Sequence, residues 1–488
     1  MQSYSGMKVL IMGLGINGGG LESALYLARK GAEITVTDLR DEKALAPSIE
    51  KIENMNGLSR PVRYVLGRHE IDDFKNADMV IKNPGVRPDS PYLAASRCIE
   101  TDISLFLAAS PARLSAVTGS KGKSATASAL HWVLSKAREA GILAGKAFLG
   151  GNITVSPLSF LDELRAGDDV VLELSSWQLG DLRGRYREGV PLLKPRSAVL
   201  TAILPDHQDR YGGMDLYVAD KRVIYQGQDR GDITIACNDE WGRSFLRESR
   251  ARGLAYSREA PPVPEGGGWI GPDGQGFVRL PEGFQDGLRA ELSGREGVEV
   301  VPARLLVPGG HQKNNLLAAA LALIDLRLSP EFIRGQLGNF PGIEHRLEFF
   351  YESGGIRFYN DTAATIPEAA AAAVEAFQEP VILVCGGTDK NLDFSPLAGV
   401  IPKAKAVVLL SGTGSVKLRS LLDQAGIPYH GPFDAPDKAL DACLSAAAPG
   451  DNVVLSPGCA SFGMFRNEFD RGRTWKETVR HRCAAAQS

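Results

Sequence analysis

The sequence predicts an α/β protein of three domains, each a mostly parallel sheet covered by helices. Three observations carry this expectation. A chain of 488 residues accommodates about three domains at the usual ~100–200 residues each. Short β-rich runs alternate with helical patterns along nearly its whole length, the rhythm of βαβ units. That rhythm also restarts twice, after stretches that interrupt it. The composition, 44% apolar and 23% charged with a mean hydropathy of −0.10, belongs to an ordinary globular chain and excludes wholesale disorder. Lys and Arg number 55 against 58 Asp and Glu, a net charge of −3. This balance argues against nucleic acid as a partner, while leaving room for a local basic pocket.

The first series runs KVLIMG from Lys8, a helix over 21–30, EITVTD from Glu33 and ADMVIKNPG from Ala77. The second begins with RLSAVTG at Arg113, continues through a helix over 124–140, and adds the strands DDVVLELS and SAVLTAIL. Between 253 and 297 the pattern degrades, with six glycines between Pro264 and Gly276, which predicts a β-hairpin insertion or surface loops. An alanine-rich helix follows over 313–326, and PGIEHR from Pro341 reads as a linker. The third series comprises GIRFYND, VILVCGG, AVVLLSG and NVVLSPG. The expected domains are therefore 1–102, 103–342 and 343–488, the outer two Rossmann-like and the central one P-loop ATPase-like.

Apolar stretches such as Leu316 to Ile324 fall short of the ~18 residues of a membrane span, so no membrane association is expected. The opening MQSYSGMKVLIMGLG lacks the basic start and small-residue cleavage site of an export signal. Six cysteines are scattered without a CxxC pair, which indicates neither zinc nor a disulfide framework and fits a reducing cytoplasm.

Two glycine-rich turns carry the chemistry. Gly13-Leu14-Gly15-Ile16-Asn17-Gly18 follows a strand and opens a helix, and Asp38 ends the next strand about 20 residues on. Glycines permit close backbone approach, the helix N-terminus attracts phosphate, and Asp38 can bond a ribose hydroxyl. The alternative is a set of purely structural glycines. The second turn, Thr118-Gly119-Ser120-Lys121-Gly122-Lys123-Ser124, also joins a strand to a helix. Its amides would cradle phosphates, Lys123 would neutralise the terminal phosphate, and Ser124 would hold Mg²⁺. The common P-loop glycine is Val117 here, so this is a shorter GxxGKS loop. A bland strand-to-helix turn would not require the paired lysines.

Further polar residues fall at predicted strand ends, where open α/β sheets bind ligands. Glu173 lies in the apolar strand VVLELSSWQL, where an unpaired charge is costly. His207 follows SAVLTAIL with Asp206 and Asp209 beside it, a metal ligand or an ordinary histidine when taken alone. Lys221, on the helix after it, reads by itself as a solvated lysine. His311 and Asn315 share a helix face, or His311 caps that helix. His345-Arg346 would reach a phosphate or sit as a surface charge. Asn360-Asp361, Lys390 and the run Ser461 to Phe465 all follow third-series strands.

Taken together these residues resemble the Mur ligase family over nearly the whole chain. The motifs GSKGKS, LELSSWQL, DHQDRY, DKRVIY, GGHQKNN, HRLE, YNDTAAT, GGTDKNLDF and LSPGCASF occur in family order. The resemblance is greatest to the branch that adds D-glutamate to UDP-N-acetylmuramoyl-L-alanine. It implies a cytoplasmic, monomeric enzyme of peptidoglycan precursor synthesis, with ATP, two Mg²⁺ ions and a carbamylated Lys221. It further implies that Gly15, Ile16, Asn17, Asp38, Arg40, Asn83, Gly85 and Asn152 hold the UDP-sugar. Gly119, Ser120, Lys121, Gly122, Lys123, Ser124, Ala125, Asn315, Arg346 and Asp361 would hold ATP. Ser124, Glu173, His207 and Lys221 would serve the metals, and Lys123, Glu173, His207 and Lys221 catalysis. Thr365, Lys390, Ser461 and Phe465 would take the glutamate.

The chain departs from the family pattern at four places. Ala363 stands where the family usually has a lysine, Ala125 for a threonine, Gln312 for an asparagine and Gly463 for an aspartate. Two of these fall in the amino-acid half, which keeps an L-glutamate-adding relative open as an alternative. A more distant rival is an NAD-dependent oxidoreductase using Gly13 to Asp38, which leaves GSKGKS, Glu173 and His207 without a role.

Overall fold

Each predicted series builds its own sheet. The computed structural model describes residues 3–15, 18–55, 60–153, 155–261, 265–281, 284 and 297–485. By packing, the chain divides into two units: 1–301 with 314–336, and 302–313 with 337–488.

In the first unit, β1 (Lys8–Met12), β2 (Glu33–Asp38), β3 (Arg63–Leu66), β4 (Met79–Lys82) and β5 (Ile99–Glu100) form a parallel sheet in the order β3-β2-β1-β4-β5. Helices cover both faces, which is why β4 is buried at every position. The chain leaves β1 toward β2 on one side and returns through β4 on the other, so a crevice opens between their carboxyl ends. Gly13 follows β1 there and Asn83 follows β4.

The same unit holds a nine-stranded sheet. Its strands are β6 (Arg113–Thr118), β7 (Ala147–Gly151), β8 (Asp169–Glu173), β11 (Ser197–Leu200), β12 (Ile233–Cys237), β13 (Arg252–Ser257), β14 (Gly267–Ile270), β15 (Gly276–Arg279) and β16 (Val298–Val301). A small hairpin, β9 (Tyr186–Arg187) with β10 (Val190–Pro191), stands apart. The order is β16-β15-β14-β13-β12-β11-β6-β8-β7, parallel from β7 to β14 and antiparallel thereafter. β6 lies inside it, between β11 and β8.

The glycine-rich stretch is therefore partly corrected. A hairpin exists, but β14, β15 and β16 extend the main sheet and are not surface loops. The glycines hide the alternation because a helix packs directly on them. A Cβ on Gly268 would lie 3.0 Å from Leu317 Cδ1 and one on Gly276 3.4 Å from it. Residues 282–283 and 285–296 of that stretch lie outside the described residues.

The expected helices appear over Gly19–Arg29, Lys123–Glu139 and Gly310–Asp325, within the uncertainty of any helix end. From Asn315 to Asp325 the last is buried on every side, as an apolar, alanine-rich helix must be.

The second unit carries β17 (Glu348–Ser353), β18 (Ile356–Asn360), β19 (Val381–Cys385), β20 (Ala406–Leu410), β21 (His430–Phe433) and β22 (Asn452–Leu455) in the order β17-β18-β22-β19-β20-β21. Only β17 is antiparallel to its neighbour. PGIEHR is not a free linker. His345 is buried, its Nδ1 lies 2.9 Å from Asn360 Nδ2, and its backbone N–H donates to Glu348 Oε2 at 3.0 Å. Lys476 donates to both Glu344 (3.2 Å) and Glu348 (2.6 Å), so these charges form a paired network inside the unit. Among the described residues no helix is long and apolar enough to cross a membrane, and all six cysteines are free.

Candidate active site

The phosphate loop is shaped by two glycines that nothing larger could replace. Gly119 has φ +143° and Gly122 φ +89°. A methyl on Gly119 would fall on the Thr201 hydroxyl, and one on Gly122 on the Asn315 side-chain oxygen, 3.1 Å from Asn315 Cγ. Neighbouring strands pin the loop. The Thr118 hydroxyl donates to Leu174 O at 2.7 Å, the Thr201 hydroxyl to Lys121 O at 2.6 Å, and Ser120 Oγ lies 2.8 Å from the Tyr217 hydroxyl. Lys123 starts the helix, and its ammonium folds back onto the carbonyls of Gly119 (3.0 Å) and Ser120 (3.2 Å). A glycine turn, a helix N-terminus and a lysine thus converge where a polyphosphate would sit. Of the other predicted loop residues, Lys121 is exposed and Ala125 is buried at the helix base.

Lys221 is not the solvated lysine that its sequence context suggests. It is 1% exposed, donates to Gly119 O at 2.8 Å and lies 4.5 Å over the Tyr217 ring. Burial, with the nearby charge of Lys123, pushes its pKa down to about 7, against the pull of Asp206 and Asp220. Burial also lowers the pKa of Lys123, opposed by Glu173 and Asp206. Glu173 ends β8 in register with Val117 of β6, beside the loop. Its Oε1 accepts from Asn152 Nδ2 at 2.9 Å, while its buried Oε2 has no protein partner. A buried carboxylate oxygen without a hydrogen-bond partner, next to this loop, has the chemistry of a ligand for a divalent cation.

A cleft of about 410 Å³ brings many of these groups together. The central sheet contributes Gly119, Lys123, Asn152, His207 and Lys221, and the first sheet contributes Asn83 and Gly85. His207 adopts φ +51° and sets its ring 5.0 Å from that of Trp177 and 6.5 Å from that of Tyr217. Asn83 donates to Gly13 O (3.2 Å) and accepts from Gly85 N (3.0 Å), bracing the first glycine turn. Asp38 is nearly buried, accepting from Gly15 N at 3.3 Å and Arg40 N at 2.9 Å. Ile16 and Asn17 lie outside the described residues.

Sequence reasoning left several lining residues without a role: Asp102, Ser175 to Gln178, Asp206 and Tyr217. One signal was available. Ser175 and Gln178 form a capping box that starts the helix Ser176–Leu182, and the S-x-x-Q spacing announces it.

In the second unit the predicted residues follow three adjacent parallel strands, β18, β22 and β19. Asp361 accepts from the Ser456 hydroxyl at 2.6 Å and from Leu347 N at 3.1 Å, and burial pushes its pKa up to about 6. Thr388 and Ala460 pair through mutual backbone bonds of 3.0 Å, joining the loops of Lys390 and Ser461. The Ser461 hydroxyl is buried without a partner. Phe465 N donates to Ser461 O at 3.2 Å, while Arg346 and Lys390 are exposed. Arg471 is buried, and its guanidinium is occupied by Thr362 Oγ1, Thr362 O and Cys459 O.

The chain matches the model of the Mur ligase MurD-like N-terminal domain over 7–104, the Mur ligase middle domain over 117–323 and the Mur ligase glutamate ligase domain over 345–459. It is 41% identical to a UDP-N-acetylmuramoylalanine–D-glutamate ligase of Treponema pallidum, covering 97% of this chain and 98% of the relative. The chain belongs to the Mur ligase family. A ligase of the same name from a Roseiflexus species is 38% identical over 97% of this chain and 98% of its own. Among solved structures, the UDP-N-acetylmuramate-alanine ligase MurC of Thermotoga maritima covers 98% of this chain and 100% of its own at a TM-score of 0.51 and 17% identity, which establishes the fold alone. Mur ligases are ATP-dependent, Mg²⁺-using enzymes that form amide bonds, and this chain is one. The glycine turn that also suits an NAD enzyme falls within the MurD-like N-terminal domain, and curated relatives at 36–41% identity carry the D-glutamate name.

Proposed function

We propose that this Mur ligase joins D-glutamate to UDP-N-acetylmuramoyl-L-alanine through an acyl phosphate, in the cytoplasm and as a monomer. The observation that carries the reading is the cleft, lined by the half-buried Lys123, the buried Lys221, His207 and Asn152 together with the Asn83–Gly85 loop. The match to D-glutamate-adding relatives over nearly the full length supports the substrate assignment. The domains proposed are 1–102, 103–342 and 343–488, a division supported by family-model matches over 7–104, 117–323 and 345–459.

Gly15 to Asn17, Asp38 and Arg40 hold the UDP, and Asn83, Gly85 and Asn152 the part of the substrate that reaches the central sheet. ATP lies on the Gly119–Ala125 loop, with Asn315, Arg346 and Asp361 as further contacts. The alanyl carboxylate oxygen bonds to the γ-phosphorus as the bond from that phosphorus to the bridging oxygen breaks and ADP leaves; the reacting groups are two anions that repel unless the charge is offset. Lys123 supplies one offset. Mg²⁺, for which Ser124 and the unpartnered Glu173 Oε2 form a fitting set, supplies the other. Lys221, being buried with a depressed pKa, presents a neutral amine to CO₂; the N–C bond would form, one proton would leave, and an anion would replace the amine. That carbamate and His207 would hold a second ion.

Thr365 and Lys390 pair with the α-carboxylate of glutamate, and Ser461 with the Phe465 backbone meets its side-chain carboxylate. The amine, once deprotonated, attacks the acyl carbon. The C–N bond forms as the C–O bond to phosphate breaks and the nitrogen gives up a proton, leaving the amide and phosphate. The test is phosphate release from ATP, Mg²⁺ and UDP-N-acetylmuramoyl-L-alanine. Release should require D-glutamate. Turnover with L-glutamate alone, or with neither isomer, would refute the assignment.

A further inference from the structure

Lys82 and Asp181 form an ion pair that no step above uses. Lys82 ends β4 of the first sheet, and Asp181 lies late in the helix Ser176–Leu182 that follows β8 of the nine-stranded sheet. Nζ and Oδ2 are 2.7 Å apart, with the side chains 3% and 9% exposed. Burial disfavours both charges, lowering the pKa of Lys82 and raising that of Asp181, while each partner opposes the shift of the other. Such a pair is a poor source of stability, because desolvation offsets most of the Coulomb gain, and apolar residues would pack as well or better. What it adds over apolar packing is direction, since the two charges satisfy each other in one register only.

Its neighbours show what that register controls. Lys82 Nζ also lies 3.5 Å from the carbonyl of Asn83, the residue that braces the Gly13 turn and lines the cleft. On the other side, the helix bearing Asp181 begins with Ser175 to Gln178, which line the opposite wall. Arg185 reinforces the junction, donating to Glu100 Oε2 (2.7 Å), Ile99 O (2.6 Å) and Asp181 O (2.7 Å). Strands β4 and β5 are thus fastened to the helix that builds the far wall.

We propose that Lys82–Asp181 is a positioning clasp that sets the spacing between the Asn83–Gly85 loop and the Ser175–Gln178 turn, and thereby selects the ligand that spans both. The inference rests on the function proposed above. A ligand confined to the first domain, such as UDP, does not feel that spacing. A UDP-sugar whose acyl end reaches the central sheet does.

The experiment is calorimetric titration of the full chain without turnover. Wild type, Lys82→Met, Asp181→Asn and Lys82→Met/Asp181→Leu are each titrated with UDP, with a non-hydrolysable ATP analogue, and with UDP-N-acetylmuramoyl-L-alanine. The double variant replaces both ions by apolar groups, so its melting temperature should stay near that of the wild type. UDP and the ATP analogue should bind each variant within about twofold of wild type, while the full substrate binds about tenfold or more weakly, the range of a lost positioning interaction. Wild-type affinity of the double variant for the full substrate would overturn the clasp alone. Failure of the wild type itself to bind the UDP-sugar would sink the proposed function, and the clasp with it. Equal loss of UDP, ATP analogue and full substrate would show a merely structural pair and also refute the clasp.

Discussion

Replacing Gly119 by alanine tests the phosphate loop most directly. At φ +143° a residue with a Cβ is strained by about 1–2 kcal/mol. The new methyl would overlap the Thr201 hydroxyl and lie 2.9 Å from Thr201 Cβ and 3.1 Å from its carbonyl carbon. The last is backbone and cannot rotate away, so overpacking adds about 1–3 kcal/mol. The combined cost is about 2–5 kcal/mol, or roughly 2–5 °C in melting temperature for a chain of 488 residues. The functional loss should exceed the stability loss. Gly119 O receives the ammonium groups of both Lys123 (3.0 Å) and Lys221 (2.8 Å), and the Thr201 hydroxyl holds Lys121 O. Pushing Gly119 away from Thr201 therefore displaces loop and both lysines together. Turnover, followed by phosphate release, should fall about 100-fold or more, the scale of losing one preorganised charge-stabilising group. Affinity for an ATP analogue should fall with it. A companion Gly119→Ala/Thr201→Gly chain removes the side-chain overlap but not the backbone contact, so it should regain part of the melting temperature and little turnover. A Gly119→Ala chain that melts and binds the ATP analogue like the wild type would refute this account of the loop.

Lys221→Ala should abolish phosphate release, and short carboxylates such as formate or acetate should restore part of it by standing in for the carbamate; a rate indifferent to the substitution would remove Lys221 from the site. Asp361→Asn should alter the pH dependence of stability. Because burial raises the folded pKa to about 6, the proton favours the fold at low pH, and that contribution is lost as pH rises through about 6. The amide keeps partners for Ser456 and Leu347 yet never ionises, so relative to wild type the variant should gain about 2.5 kcal/mol between pH 4 and pH 8, measured by thermal unfolding at both. An unchanged difference between the two pH values would mean that the carboxyl is not held neutral by burial.

What was legible in the sequence divides by distance along the chain. The GSKGKS loop could be read from its residues because strand, turn and helix are contiguous, and both positive-φ glycines serve contacts that any phosphate loop needs. Lys221 could not. Helical spacing alone leaves it on a solvent face, and only the packing of its helix against Gly119 and Tyr217 buries it, so its role came from resemblance. The Gly268 and Gly276 strands were obscured for the opposite reason: small residues that admit Leu317 erase the alternation by which strands are recognised. His345 was misread as part of a linker because its partner Asn360 lies 15 residues away, and Lys476, which binds the flanking Glu344 and Glu348, lies 132 and 128 residues from them.

Lys82 and Asp181 lie 99 residues apart, and neither belongs to a motif, so no pattern in the sequence pairs them. Their case bears on how the enzyme meets ligands that are all anionic with a net charge of −3. The cleft is not a basic patch: Asp102 and Asp206 line it alongside Lys123 and Lys221. Its affinity for phosphate must then come from groups already fixed in direction, the loop amides, the helix N-terminus and two desolvated lysines, because a low-dielectric site strengthens oriented charge and not net charge. Orientation is only as good as the spacing of the walls that carry it. That makes the junction between the first sheet and the nine-stranded sheet, and not further positive charge, the place where substitutions should change which UDP-linked substrate is accepted.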